Sequence, residues 1–131
     1  MNFVNGTLKI DNGAVEFTEL QGGTIKLGLQ TGARAREFGG KPVLLGIRPE
    51  DIELAQFATT NERSTSSFPA IVDIVEPMGA ETNLYLQTGM HTVVCRSQKA
   101  LDHREAGRRF QFDINLEKTH LFDADTGVRI A

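Results

Sequence analysis

Two carboxylates, Glu76 and Glu81, flank the turn-forming tetrapeptide Pro77-Met78-Gly79-Ala80. Two acids around a turn can do general acid–base chemistry, provided that a cleft drives their pKa values apart. Nothing near them in the sequence implies such a cleft, and solvated turn charges are the simpler reading. The histidines His91, His103 and His120 lie far apart. They form no close pair of the kind found on a zinc-binding helix, and the single cysteine, Cys95, excludes a multi-thiolate site. They read as exposed polar side chains. Asp123-Ala124-Asp125-Thr126-Gly127 lacks the third acid and the distal glutamate of a calcium loop and fits a β-turn. Ala35 to Pro42 places Gly40-Lys41 in the frame of a phosphate-binding loop. Ala35 stands where that loop needs its first glycine, however, and Pro42 stands where it needs a magnesium-binding hydroxyl. No Gly-x-Ser-x-Gly nucleophile elbow occurs. The residues suited to chemistry therefore assemble no legible catalytic centre, and the chain reads as a non-enzyme.

The elements that carry these residues are strands. Leu8 and Ile10 alternate with Lys9 and Asp11, and Val15 and Phe17 with Glu16 and Thr18. Ile25, Leu27 and Leu29 share one side of their run. Phe110, Phe112, Ile114 and Leu116 alternate with Gln111, Asp113, Asn115 and Glu117. This period of two puts apolar side chains on one face of a strand. Val43 to Ile47 is apolar on both faces and Ala70 to Val75 nearly so, and such runs suit strands buried between layers or lining a barrel. Short turn signals separate the runs. Asp11-Asn12-Gly13 is the clearest, since Asn-Gly supplies the positive φ angles of a tight hairpin. Thirteen glycines and many short strands predict an all-β fold of one or two small OB-like barrels with short hairpins and little helix. Single helical turns are expected at Pro49 to Ile52 and Ser97 to Asp102. Loops are expected at 31–41 and 56–67.

Composition narrows the function. With 131 residues the chain has one domain's worth of core, or two small lobes sharing one. Acids outnumber Lys and Arg by 17 to 14, against the basic excess of proteins that grip nucleic acid. The lone Cys95, in the apolar run Thr92 to Cys95, reads as a small buried hydrophobe in a reducing compartment. No apolar run reaches the roughly 20 residues that span a membrane, and the first residues do not form a signal peptide. The chain is expected to be soluble and cytosolic.

Leu45-Gly46-Ile47-Arg48-Pro49-Glu50-Asp51-Ile52 is more specific than any of these features. It resembles the "GIRPE" segment of the regulatory region in ATP-binding subunits of maltose- and glycerol-3-phosphate-type ABC importers. Three further strings agree in order. Met1 to Val4 resembles the junction after the nucleotide-binding domain, Val72 to Thr82 the "VE-x-x-G-x-E" strand and turn, and His120 to Gly127 the terminal "HLFD-x-x-TG". The resemblance implies a transport-associated OB (TOBE) region spanning 1–131, excised from a longer subunit with its first residue at the domain junction. It implies a parent ATPase that uses ATP and Mg in its own catalytic domain. The present chain has no phosphate-binding loop, magnesium-binding strand motif or "LSGGQ"-like segment, and so no cofactor is expected in it. The implied partners are the subunit's own ATPase domain, a second copy of the subunit, the importer's membrane subunits indirectly, and regulators. The implied place is the inner face of the cell membrane.

In the matched strings, Gly46 permits a close approach and Pro49 ends a strand at an edge. Arg48 and Glu50 point the same way on an extended segment. Local barrel architecture explains much of this. The functional alternative makes Arg48, Glu50, Glu76 and Glu81 contacts to another domain or partner. Phe110, Phe112 and Phe122 read as core, because an aromatic row for stacking on bases would need the wet face. A second function keeps Arg34 and Arg36, or Arg108 and Arg109, as cations for a small oxyanion held between OB-like barrels.

Overall fold

The computed structural model describes residues 1–29, 33–55, 65–98 and 101–131. Ten strands follow in chain order: β1 Asn2–Asp11, β2 Ala14–Glu19, β3 Lys26–Leu29, β4 Pro42–Ile47, β5 Ile52–Leu54, β6 Thr65–Pro77, β7 Thr82–Gln87, β8 Thr92–Ser97, β9 Arg109–Asn115 and β10 His120–Asp123. They form two antiparallel five-stranded sheets, ordered β10-β4-β1-β2-β3 and β5-β9-β6-β7-β8.

The two sheets repeat one plan. Each has a meander of three strands, a helical turn and a fourth strand that pairs back on the first. The turn is α1, Ala33–Arg36, in one half and the 3-10 turn His103–Glu105 in the other. After each turn comes a glycine in the left-handed region, Gly40 (φ 77°) and Gly107 (φ 89°). The Gly40 amide donates to the Leu8 carbonyl (2.9 Å), and the Gly107 amide donates to the Val72 carbonyl (2.6 Å). These carbonyls lie in β1 and β6, the first strand of each half. The fifth strands are exchanged. β5, which follows β4, joins the second sheet, whereas β10, which follows β9, joins the first. A 3-10 turn makes each crossing, Pro49–Asp51 and Leu116–Lys118. The two halves are thereby tied into one continuous core.

Local chemistry accounts for the elements. Asn12 (φ 49°) and Gly13 (φ 82°) close the β1–β2 hairpin, with Asp11 opposite Ala14, as the Asn-Gly signal requires. Val4 and Leu8 on β1, Val15 and Phe17 on β2, and Ile25, Leu27 and Leu29 around β3 are buried. Phe112 and Ile114 are fully buried on β9, with Phe110 packed partly against the core. Gly6 faces the Phe17 ring so closely that a Cβ there would lie 2.4 Å from it. The free edge of β8 is capped by one side chain. Asn2 donates from Nδ2 to the Val94 carbonyl (2.8 Å) and accepts the Val94 amide at Oδ1 (2.9 Å). This supplies the pairing that an open edge would otherwise offer to another chain.

Several expectations are corrected. The loop expected at 31–41 contains the helical turn α1, because Ala35 is buried and anchors it. The loop expected at 56–67 ends early, since Thr65 to Ser67 already pair with β9; 56–64 lie outside the described residues. The turn expected at Ser97 to Asp102 forms later, at His103–Glu105, capped by the Asp102 side chain; 99 and 100 lie outside the described residues. Pro49 does end a strand, but β4 is interior, between β10 and β1. The run Ala70 to Val75 is not buried on both faces: Ile71 and Ile74 are 45% and 52% exposed, and a bulge interrupts the register between Val72 and Ile74.

Candidate functional site

Arg48 precedes, and Glu50 lies within, the 3-10 turn that follows β4. Pro49 occupies its first position, where a missing amide costs nothing, and the Arg48 carbonyl accepts the Asp51 amide at 2.9 Å. Both side chains are exposed. They are not paired with each other. Instead they flank Asp51, whose carboxyl is held above its ordinary range mainly by burial; Lys118, Arg48 and His120 pull it down and Glu50 pushes it up. His120 opens β10 opposite Gly46. Burial, followed by Arg129 and Arg48, holds its imidazole below the ordinary histidine value, and Asp51 opposes them. Asp51 Oδ2 and His120 Nδ1 are both buried without a hydrogen-bond partner. The two motif-bearing strings, 75 residues apart in their leading members, thus meet at one end of the first barrel.

Gly46 lies beneath this corner. A Cβ on it would stand 2.7 Å from Met1 Sδ and 3.1 Å from the Phe122 ring. The close approach expected at Gly46 is therefore made by Met1, just before β1, and by Phe122 of β10. Phe122 is not core, as the alternation implied. It sits half-buried on the outer face, edge-on to Phe3 at 5.9 Å between centroids. Its strand pairs through β4, which turns Leu121 inward and Phe122 outward.

Glu76 and Glu81 belong to the β6–β7 hairpin. The Met78 amide donates to the Glu81 carbonyl at 2.7 Å, and Gly79 takes a positive φ of 85°. Glu76 Oε1 accepts from the Tyr85 hydroxyl (3.0 Å) and from Asn83 Nδ2 (3.2 Å). This bond and the adjoining negative charge raise the Tyr85 phenol above its ordinary value. Glu81 Oε2 lies 4.0 Å from Arg96 Nε with both side chains nearly half exposed, a pair of little energetic weight. Nothing joins Glu76 and Glu81 to one reacting point. Neither one bonds to Arg48 or Glu50 among the described residues.

The largest polar cluster was not legible beforehand. Glu19, at the end of β2, has a side chain fully removed from solvent. Its Oε2 accepts from Thr88 Oγ1 (2.7 Å) and lies 2.6 Å from His91 Nδ1, while Oε1 accepts the Ile25 amide at 3.2 Å. His91 Nε2 accepts the Asn5 amide at 3.1 Å, which places the imidazole proton on Nδ1. His91 is therefore not an exposed histidine, because it ties the β7–β8 turn to β1 and β2. A carboxylate holding an imidazole is also half of a hydrolytic triad. Here, however, Nε2 is occupied by backbone and the Thr88 hydroxyl is spent on Glu19, so no nucleophile faces a base. The cluster couples the barrels and has no catalytic geometry.

Cys95 is buried on β8, donates Sγ–H to the Ile52 carbonyl at 3.1 Å, and has its thiol pushed up to about 12 by burial. That bond joins the two edges of the second sheet, β8 and β5. The folded protein is expected to resist alkylation by a thiol reagent at pH 8, and Cys95 to react at the rate of a free thiol once denaturant unfolds the chain. Among the described residues no group of three or more His, Cys, Asp or Glu could hold a metal, and no helix is long and apolar enough to cross a membrane.

Comparison with known proteins agrees with this geometry. Residues 45–122 match the TOBE domain family and residues 1–52 the MalK OB fold domain. The chain is 33% identical over 132 residues to the trehalose/maltose import ATP-binding protein MalK of Thermococcus litoralis, covering 99% of this chain and 34% of that protein. It is 32% identical over 133 residues to the sn-glycerol-3-phosphate import ATP-binding protein UgpC of Escherichia coli K12 (99% and 33%) and 31% identical over 135 residues to the oligosaccharides import ATP-binding protein MsmX of Bacillus subtilis (99% and 34%). The chain thus spans about a third of the length of the curated relatives it matches. Among solved structures, the cytoplasmic molybdate-binding protein ModG shares the fold, with a TM-score of 0.61 and 19% identity over 97% of this chain and 95% of that one. Two small OB barrels with exchanged fifth strands, carrying the paired strings at Arg48 and His120, place the chain in the TOBE domain family, in the form found at the C-terminal end of sugar and glycerol-3-phosphate importer ATP-binding subunits.

Proposed function

We propose that this chain is the regulatory and dimerisation region of the ATP-binding subunit of an ABC importer for a sugar or related solute. The observation that carries this reading is the joint match of the two OB-barrel families across 1–122. ATP and Mg are bound in the ATPase domain of the parent subunit. The partners are that domain, a second copy of the subunit, the membrane subunits through the assembled complex, and a regulatory protein. The site of action is cytoplasmic, at the inner face of the membrane. Arg48 and Glu50, exposed beside the half-buried Asp51 and His120, form one contact to a neighbouring domain; Glu76 and Glu81, on the β6–β7 hairpin, form another. The oxyanion reading is weaker. Arg108 is engaged by Glu105 at 2.8 Å and lies over the Phe110 ring.

The test compares the isolated chain with the full subunit. Titration calorimetry with MgATP is expected to give no binding to the isolated chain. Deleting these residues from the subunit is expected to leave nucleotide binding intact and to reduce sugar uptake in cells or its control. MgATP binding by the 131-residue chain, or uptake and control unchanged by the deletion, overturns the reading.

A further inference from the structure

A cleft of about 270 Å³ lies along the seam between the two halves, with Gly22 and Thr24 of the β2–β3 connection on one side and β6, the β7–β8 turn and Arg109 on the other. Hydrogen bonds tie the sides together. The Thr24 amide donates to the Thr88 carbonyl at 2.7 Å, and Thr24 Oγ1 donates to the Pro69 carbonyl at 2.6 Å. Thr88 is itself held by the buried Glu19. A cleft tied in this way costs a ligand little reorganisation. Pro69, Ala70 and the half-exposed Ile71 give it an apolar surface.

Two polar side chains line the same cleft. Arg109, Ile71 and Gln87 stand in one row across β9, β6 and β7, so the arginine and the glutamine are about 10 Å apart with the isoleucine between them. The Arg109 guanidinium is unpaired among the described residues. Gln87 Nε2 donates to Asp73 at 3.3 Å and to Thr92 Oγ1 at 2.9 Å. A carboxylate takes only the N–H side of the amide, which leaves Gln87 Oε1 as an acceptor. The fold does not require this row. The Gly40 and Gly107 amides donate to Leu8 and Val72, which aligns the two halves. One residue earlier, where the second half has Ile71, the first half has Thr7, paired with Pro42 and Thr18. The cation is there a proline and the isoleucine a threonine. A free guanidinium beside apolar surface suits a carboxylate or phosphate carried on a carbon skeleton. Asp73, at the glutamine end, repels a second anionic group.

We infer that the seam cleft binds a small hydroxylated organic anion, with its carboxylate or phosphate on Arg109, its carbon skeleton over Ile71 and Pro69, and a hydroxyl donated to Gln87 Oε1. The volume is at the small end of ligand cavities. A bare tetrahedral oxyanion would meet one guanidinium and gain nothing from the apolar surface, and an uncharged sugar would gain no charge-assisted bond. With one cation and few contacts, the dissociation constant falls on the order of 0.1–1 mM. The site lies within this chain and is independent of the dimerisation proposed above.

Proton–nitrogen correlation NMR of the 131-residue chain tests it at constant ionic strength. Glucose 6-phosphate and gluconate probe the two anion types, and inorganic phosphate and glucose serve as references. Saturable shifts are expected at the amides of Thr24, Ile71, Gln87 and Arg109 with at least one of the organic anions, and binding of both references is expected to be weaker by about tenfold or more. The acid that binds identifies phosphate ester or carboxylate. Arg109→Gln is expected to weaken binding about tenfold or more, and Arg109→Lys less. Arg108→Gln, next to it but paired with Glu105, is expected to leave the constant within about twofold, which separates the cleft from general surface charge. The spectra themselves report whether each variant is folded. No saturable shift up to about 10 mM, inorganic phosphate binding as tightly as the organic anions, or binding unmoved by Arg109→Gln each overturns the inference.

Discussion

Glu19→Ala is expected to destabilise the protein by about 3–5 kcal/mol and to lower its melting temperature on the order of 10 °C or more. The substitution removes the acceptor of three donors, the Ile25 amide, the Thr88 hydroxyl and His91 Nδ1–H, and leaves the hydroxyl only its longer bond to the His91 carbonyl at 3.3 Å. The Ile25 and Thr88 groups are left where water does not reach, and His91 is mostly buried. Glu19→Gln keeps one acceptor oxygen but turns an amide group toward a donor, and is expected to cost about 1–2 kcal/mol. His91→Ala removes one of the three donors and orphans the Asn5 amide, with a cost of about 1–3 kcal/mol. In urea denaturation, the Glu19→Ala/His91→Ala cycle is expected to show a coupling on the order of 1 kcal/mol or more. Additive losses would mean that Glu19 and His91 do not act as one unit in holding the barrels together. Gly23 belongs to the same prediction. A Cβ there would stand 2.1 Å from the Glu19 carboxyl carbon, so Gly23→Ala is expected to displace the carboxyl and reproduce part of the Glu19→Ala loss.

The second large effect is expected at Phe112. Its side chain is fully buried between Leu54 on β5 and Phe68 on β6, with the Phe68 ring centroid at 6.0 Å. Phe112→Ala opens a cavity at the centre of the second barrel and is expected to cost about 3–5 kcal/mol. Phe112→Leu keeps much of the volume and is expected to cost under about 1.5 kcal/mol. Phe110, two residues earlier, is the internal comparison. It is half-buried, with the Arg108 guanidinium 5.9 Å above its ring, and Phe110→Ala is expected to cost about 1 kcal/mol. Equal losses at the two positions, measured by chemical denaturation, would contradict the assignment of the barrel interior.

Phe112 and Glu19 mark the boundary between what could be read from the chain and what could not. That Phe112 is buried follows from its alternation with Gln111 and Asp113, because a strand fixes the face of every second side chain whatever its neighbours are. The β1–β2 hairpin was legible for a similar reason, since Asn12-Gly13 needs no distant partner to turn. The strings at Arg48 and His120 were legible as a family resemblance, and the TOBE family match bears that out. The rest depended on which strands meet. Glu19 and His91 are 72 positions apart, and no local pattern relates them; a carboxylate on the buried face of β2, beyond Val15 and Phe17, becomes possible only when the β7–β8 turn docks on β2. Phe122 obeys the same alternation as Phe112, yet faces outward. Its strand crosses to the other sheet, and closure of that sheet decides which side is core. Ile71 and Ile74 looked buried because an apolar run is compatible with two covered faces, but nothing within the described residues covers the second. Alternation determines the sides of each strand. Register, crossing and closure determine which side meets water, and these belong to the whole molecule.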